Sequence, residues 1–302
     1  MLSYTSFVNT PIDSVDSNSY AQHLAAQPPT HSIIDPDDPP WGLATALFVW
    51  VTALMLLAVI PAVAVILFLA RRSPGLSPDA FLRAAVTDPV AVLVQIVAVI
   101  PVHLLTLGVA WAAVTQFGKR PFWQHLGWSW SENFGFWSSV GLATLLLLVG
   151  ASLTYFYKGD ETDLEQLIAS SNAARFTTAF LAAITAPLVE EVVYRGVLYP
   201  AAQRVMGMFW AVIVVSLLFI LPHVVQYRQN LAVIAVIATI GFALTIVRAR
   251  TGRLLPCFVM HAVFNGLQAI SLVAAPYFTQ PTGAGGKEVN AMLFTFVAKF
   301  LS

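Results

Sequence analysis

An otherwise apolar run, APLVEEVVYRGVLYP from Ala186 to Pro200, holds three charges: Glu190, Glu191 and Arg195. Further on, His223 follows a proline in SLLFILPHVV, and His261 and Asn265 stand four apart in LLPCFVMHAVFNGLQ. A carboxylate beside an imidazole can take a proton from water and make it a nucleophile. A second imidazole with an amide can donate hydrogen bonds to a developing oxyanion. Brought together, Glu190, His223, His261 and Asn265 would hydrolyse an acyl bond, and a peptide is the expected substrate. No serine or cysteine lies in a nucleophile motif, so water is the expected attacking group. Cys257 shares the His261 face, four residues earlier, without a thiol-enzyme signature. Two histidines and a glutamate also match one catalytic zinc set. Glu190, His223 and His261 are therefore the residues that would take a divalent metal such as zinc. The compact H-E-x-x-H arrangement is missing, and the water-activating chemistry requires no cofactor.

Each of these residues has a plainer reading as well. Glu191 and Arg195 are spaced i,i+4 with the acid first, the favourable order for a helical ion pair, so they read as a neutral supporting pair. Adjacent helix positions lie ~100° apart, which gives the two glutamates different jobs. Glu190 follows small residues at Ala179, Ala182, Ala183 and Ala186, a stripe that lets helices approach closely and turns Glu190 into the bundle. His223 alone would be an interfacial histidine. His261, Asn265 and Gln268 share one face and could serve as interhelical hydrogen-bonding glue, worth under ~2 kcal/mol per contact. His103, with no patterned partner, reads as a satisfied core histidine without a role. Arg248, Arg250 and Arg253 read as a basic loop anchored at lipid headgroups.

The elements that must position these groups are apolar. Of 302 residues, 58% are hydrophobic and only 10% charged, against about a quarter charged in a soluble domain. The mean hydropathy is +0.77. The fold class expected is all-α, a polytopic transmembrane helical bundle, because an open sheet cannot satisfy its backbone in lipid. A span needs ~20 apolar residues. Seven stretches qualify: 41–70, 89–118, 133–157, 176–199, 205–222, 231–247 and 254–275. A shorter one, 290–300, is a half-span, an interfacial helix or an eighth span. Residues 1–40 are polar and rich in Pro and Asp, without a signal peptide's basic start and apolar core. They read as a loose tail preceding a bundle over 41–302. No internal repeat is visible. Trp123, Trp128, Trp130 and Trp137 resemble an interfacial belt. Basic residues divide almost evenly between the two sides of a seven-span chain. The expectation that the Lys119 and Arg250 side, with the N-terminal tail, is cytoplasmic rests on a small bias. One cysteine excludes an intrachain disulfide, and zero net charge gives no case for nucleic acid.

The order EEVVYR, FILPH, HAVFN resembles the CAAX-processing and bacteriocin-processing protease family, whose pattern is E-E-x-x-x-R, then F-x-x-x-H, then H-x-x-x-N or a variant. The matching residues are Glu190, Glu191 and Arg195; Phe219 and His223; His261 and Asn265. RTGRLLP before His261 and KRPFWQHLGW before the third span add to the likeness, which covers about 119–271. Each motif alone is weak; the three in order, each on a membrane helix, are specific. The resemblance implies a multi-pass intramembrane endopeptidase of the cell membrane acting on a membrane-anchored or lipidated peptide. It implies that Glu190 and His223 activate water, His261 and Asn265 stabilise the oxyanion, and Glu191, Arg195 and Phe219 support them. The family includes members described as metal-dependent and as glutamate-type, and the glutamate route suits these residues. Two other readings compete: a non-enzymatic membrane immunity or scaffold protein, and a transporter using Glu190, His223 and His261 as a proton path, against which the absence of repeats counts.

Overall fold

A computed structural model describes residues 34–157, 170–228 and 230–278, with side chains described to Ala274. The described residues are helical, joined by short turns, and contain no strand. The chain is an all-α bundle. Helix α1 spans Leu43–Arg72; α2, Pro78–Thr87; α3, Pro89–Val97; α4, Val99–Thr115; α5, Phe122–His125; and α6, Phe136–Phe156. Asn172–Gln226 then runs as one long helical stretch, followed by α10, Leu231–Thr251, and α11, Leu255–Phe278. Within the long stretch, α7 is Asn172–Phe180, α8 is Ala186–Glu190 and α9 is Tyr199–Gln226, with wide π-helical turns at Leu181–Thr185 and Glu191–Leu198 between them.

Local chemistry sets these boundaries. Ser77 and Asp88 each precede a proline, and their side-chain oxygens accept from Ala80 N–H and from Val90 and Ala91 N–H. That is N-capping with proline at the first helical position, and it starts α2 and α3. Asn230 caps α10 in the same way through Val233 N–H. Gly252, at φ +64°, stops α10 in the left-handed conformation that glycine tolerates.

Among the described residues, six helical stretches are long and apolar enough to cross a membrane. One of them, the 55-residue Asn172–Gln226, holds the expected fourth and fifth spans, and it is broken at Gly207 by a φ of +76°. The glycine ends one rod and starts the next without a loop. The segment 290–300 lies outside the described residues, as does nearly all of the polar tail. The end of that tail is described, and it packs. Pro36, Pro39 and Trp41 are buried, and Trp41 donates from its indole to Val197 C=O at 2.9 Å.

The main apolar core gathers around the π-helical run. Val192, Val193, Val197, Leu198 and Tyr199 pack with Val49 of α1, Val114 of α4, Val215 and Phe219 of α9, and Leu254. A second cluster joins Ala143 of α6 to Leu244 of α10 and to Cys257, Met260 and Phe264 of α11. Helix α10 packs against both α9 and α11, which brings the expected site segments side by side.

Candidate active site

Among the described residues, the largest fully buried side chains are two arginines, Arg195 and Arg248. Arg195 has no exposed surface, so each of its donors needs an acceptor. Its guanidinium donates from Nη1 to Glu191 Oε1 at 3.0 Å, from Nη2 to Gly241 C=O at 2.9 Å and from Nε to Thr245 Oγ1 at 3.3 Å. The Thr245 hydroxyl donates to Gly241 C=O at 2.8 Å, so its oxygen is free to accept. The guanidinium also lies 4.2 Å from the centre of the Phe219 ring, a cation–π distance. Glu191 is as buried as its partner, so the expected neutral pair is present.

His261, also buried, sets its Nδ1 2.8 Å from Glu191 Oε1. A carboxylate oxygen only accepts, so Nδ1 carries the proton. The other nitrogen, Nε2, stands 3.8 Å from Glu190 Oε2. That is too long for a direct hydrogen bond and leaves room for an oxygen atom to be contacted by both. The two glutamates therefore flank one imidazole at its two different nitrogens. A π-helical turn starts at Glu191, and such turns gather at functional sites. Glu190 is the less buried of the two, its side chain 29% exposed.

His223 is half-buried on α9, one turn after Phe219. Its ring centre lies 5.3 Å from that of Phe219 and stacks at 6.3 Å on Tyr227. Its buried Nδ1 has no hydrogen-bond partner among the described residues, and the Glu190 charge acts on the ring. The Phe219 ring also lies 6.0 Å from that of His261, so this one ring touches Arg195 and both imidazoles. Asn265 donates from Nδ2 to Ala182 C=O at 3.0 Å, one of the carbonyls in the first π turn, and keeps its second N–H. Gln268 turns back to Phe264 C=O on its own helix and takes no part. The Cys257 thiol is buried and faces the carbonyls of Leu244 and Arg253. Among the described residues, no group of three or more His, Cys, Asp or Glu side chains is arranged to hold a metal ion.

Several contributors went unread in the sequence. Gly241 is one: a Cβ there would fall 2.7 Å from the Phe219 ring, so only glycine lets that ring lie over Arg195. Thr245, one turn on, supplies Arg195's third acceptor. Both sit in LAVIAVIATIGFALTIVRART, where a Gly and a Thr four apart carry no signal of their own. His103, read as a satisfied core histidine, has Thr185 Oγ1 2.9 Å from its Nδ1. Arg248 is a correction: it is fully buried rather than facing headgroups. It donates to Asp37 Oδ1 at 2.6 Å, Pro36 C=O at 3.1 Å and Arg195 C=O at 3.2 Å.

Residues 172–267 match the family model described as type II CAAX prenyl endopeptidase Rce1-like. The match covers the motifs that carry the resemblance, from the π-helical run through Asn265. No curated protein and no solved structure matches the chain.

Proposed function

With residues 172–267 Rce1-like, we propose that this chain is an intramembrane endopeptidase that hydrolyses a peptide bond of a prenylated or otherwise membrane-anchored substrate, with Glu190 as the base that activates water. The observation that carries the reading is the imidazole of His261 flanked by two carboxylates, one neutralised by a buried arginine and one half-open to its surroundings.

Glu191 is already balanced by Arg195, so Glu190 is the carboxylate left to take a proton from water. Its Oε2 and His261 Nε2, 3.8 Å apart, can contact the same oxygen atom. In this mechanism the water gives its proton to Glu190 and its oxygen attacks the scissile carbonyl. With Nε2 of His261 also carrying a proton, that nitrogen donates to the oxyanion, and the remaining Asn265 N–H donates beside it. Proton return from Glu190 to the leaving amine completes the reaction. His223, under the Glu190 charge and with an unengaged Nδ1, helps to orient the water. Arg195, Glu191 and Phe219 hold the imidazoles in place. No step passes through a metal.

The test uses purified full-length protein in lipid nanodiscs and a farnesylated CAAX peptide with a fluorescent reporter. Wild type releases the terminal tripeptide; Glu190→Gln, nearly isosteric, loses cleavage by at least a hundredfold, as expected for a lost general base, while its melting temperature holds. Cleavage retained in that variant would remove Glu190 from the role. Chelator treatment with metal analysis is expected to leave wild-type cleavage unchanged.

A further inference from the structure

We propose that His103, on a helix outside the matched segment, is a positioning residue for Glu190, acting as a third imidazole beside the candidate site. The proposal rests on the protease reading for its kinetics. It stands on a chain of contacts. Helix α4 packs against α8, the turn that ends in Glu190. His103 Nδ1 lies 2.9 Å from Thr185 Oγ1, in the π-helical turn directly before α8.

We assign the proton order in that chain from the second bond. With Thr185 donating its only hydroxyl proton to Leu181 C=O at 3.2 Å, its oxygen accepts from His103. Nδ1 of His103 therefore carries a proton, which leaves Nε2 as the nitrogen free to address the site. After burial, the Glu190 charge is what bears on this ring, and it is one of several charges that bear on His223. His261, His223 and His103 thus stand on three helices, α11, α9 and α4, packed against the stretch that carries Glu190. Thr185 ties the ring of His103 to the polypeptide carrying Glu190, so ring and carboxylate move together. Nε2 fixes which way the carboxylate faces, while the Thr185 bond fixes the ring.

The two nitrogens can be separated by substitution. An asparagine amide imitates Nδ1 and keeps the bond to Thr185; a glutamine amide imitates Nε2 and reaches towards Glu190. In the nanodisc assay, His103→Ala and His103→Asn are expected to lose about ten- to a hundredfold in kcat, the loss of one hydrogen bond to a charged group, with KM unchanged. His103→Gln is expected to recover part of it. Wild-type kcat in His103→Ala, or full recovery by Asn rather than Gln, would overturn the proposal and leave only a packing bond. A second readout needs no turnover. In 15N-histidine NMR of the full chain, the signals lost in His103→Asn are expected to show a protonated Nδ1, and Glu190→Gln is expected to shift the Nε2 signal. An unmoved Nε2 signal would overturn the proposal. An inactive wild type would end the protease reading instead, and the NMR comparison alone would then decide on His103.

Discussion

Arg195 has no exposed surface, yet its guanidinium meets a carboxylate, a carbonyl, a hydroxyl and an aromatic face at once. A charge in such a place is tolerated only with its partners complete. Removing one side of a buried pair costs about 3–5 kcal/mol, because the other charge stays behind unpaired. Arg195→Met is accordingly expected to lower stability by that order and to abolish cleavage, read as a drop in melting temperature in detergent. Arg195→Lys keeps the charge but has no planar fork, so it can serve Glu191 or Gly241 but not both. It is expected to fold less stably than wild type and to cleave poorly. Glu191→Gln is the converse case. It leaves Arg195 without its counter-charge and His261 Nδ1 without a carboxylate, and should lose both stability and activity, whereas Glu190→Gln should lose activity alone. That contrast between adjacent glutamates checks the division of roles directly.

At the scale of elements, two features turn a membrane helix into a site. The first is the pair of π-helical turns. Side chains from other segments engage their carbonyls: Asn265 on Ala182, Arg248 on Arg195 and Trp41 on Val197. A turn that departs from the α-helical ladder in lipid needs such partners, since water is not there to supply them. The second is Gly241, where the Phe219 ring of α9 lies against α10. Gly241→Ala is expected to push the Phe219 ring off Arg195 and His261 at a cost of about 1–3 kcal/mol, the usual penalty for overpacking. Cleavage should fall with it, and a companion Phe219→Leu, which opens space for the new methyl group, should restore part of the stability. Failure of that second change to rescue would mean that the glycine serves backbone approach rather than the ring.

Across the whole molecule, the bundle is closed by its own N-terminal approach. Arg248 is buried, Asp37 is about a third exposed, and their 2.6 Å bond joins the segment before α1 to the end of α10. Gly252 lies directly beside Asp37, 3.2 Å from its Oδ2 to a built Cβ. Asp37→Ala should lower the melting temperature. The cost should fall below the about 3–5 kcal/mol of a fully buried pair, because solvent already reaches the carboxylate. The helical bundle and the motif order were readable in the sequence because both are local: long apolar runs make spans, and EEVVYR, FILPH and HAVFN each sit within one helix. What was not readable depends on non-local geometry. The shared imidazole between Glu190 and Glu191 comes from α11, seventy positions further along, and the π turns beside them are not announced by apolar periodicity. Arg248 looked like a headgroup anchor because its partner stands 211 positions away. His103 looked isolated because Thr185 stands 82 positions away.

The thiol of Cys257, sealed between α10 and α11 and the chain's only one, leaves the surface blank to maleimides. Any cysteine introduced elsewhere becomes the single reactive group without first deleting a native one. Labelling such variants in sealed vesicles, with reagents that do and do not cross the bilayer, would map which loops face which compartment. Paired spin labels on either side of Gly207 would measure the bend between the two rods.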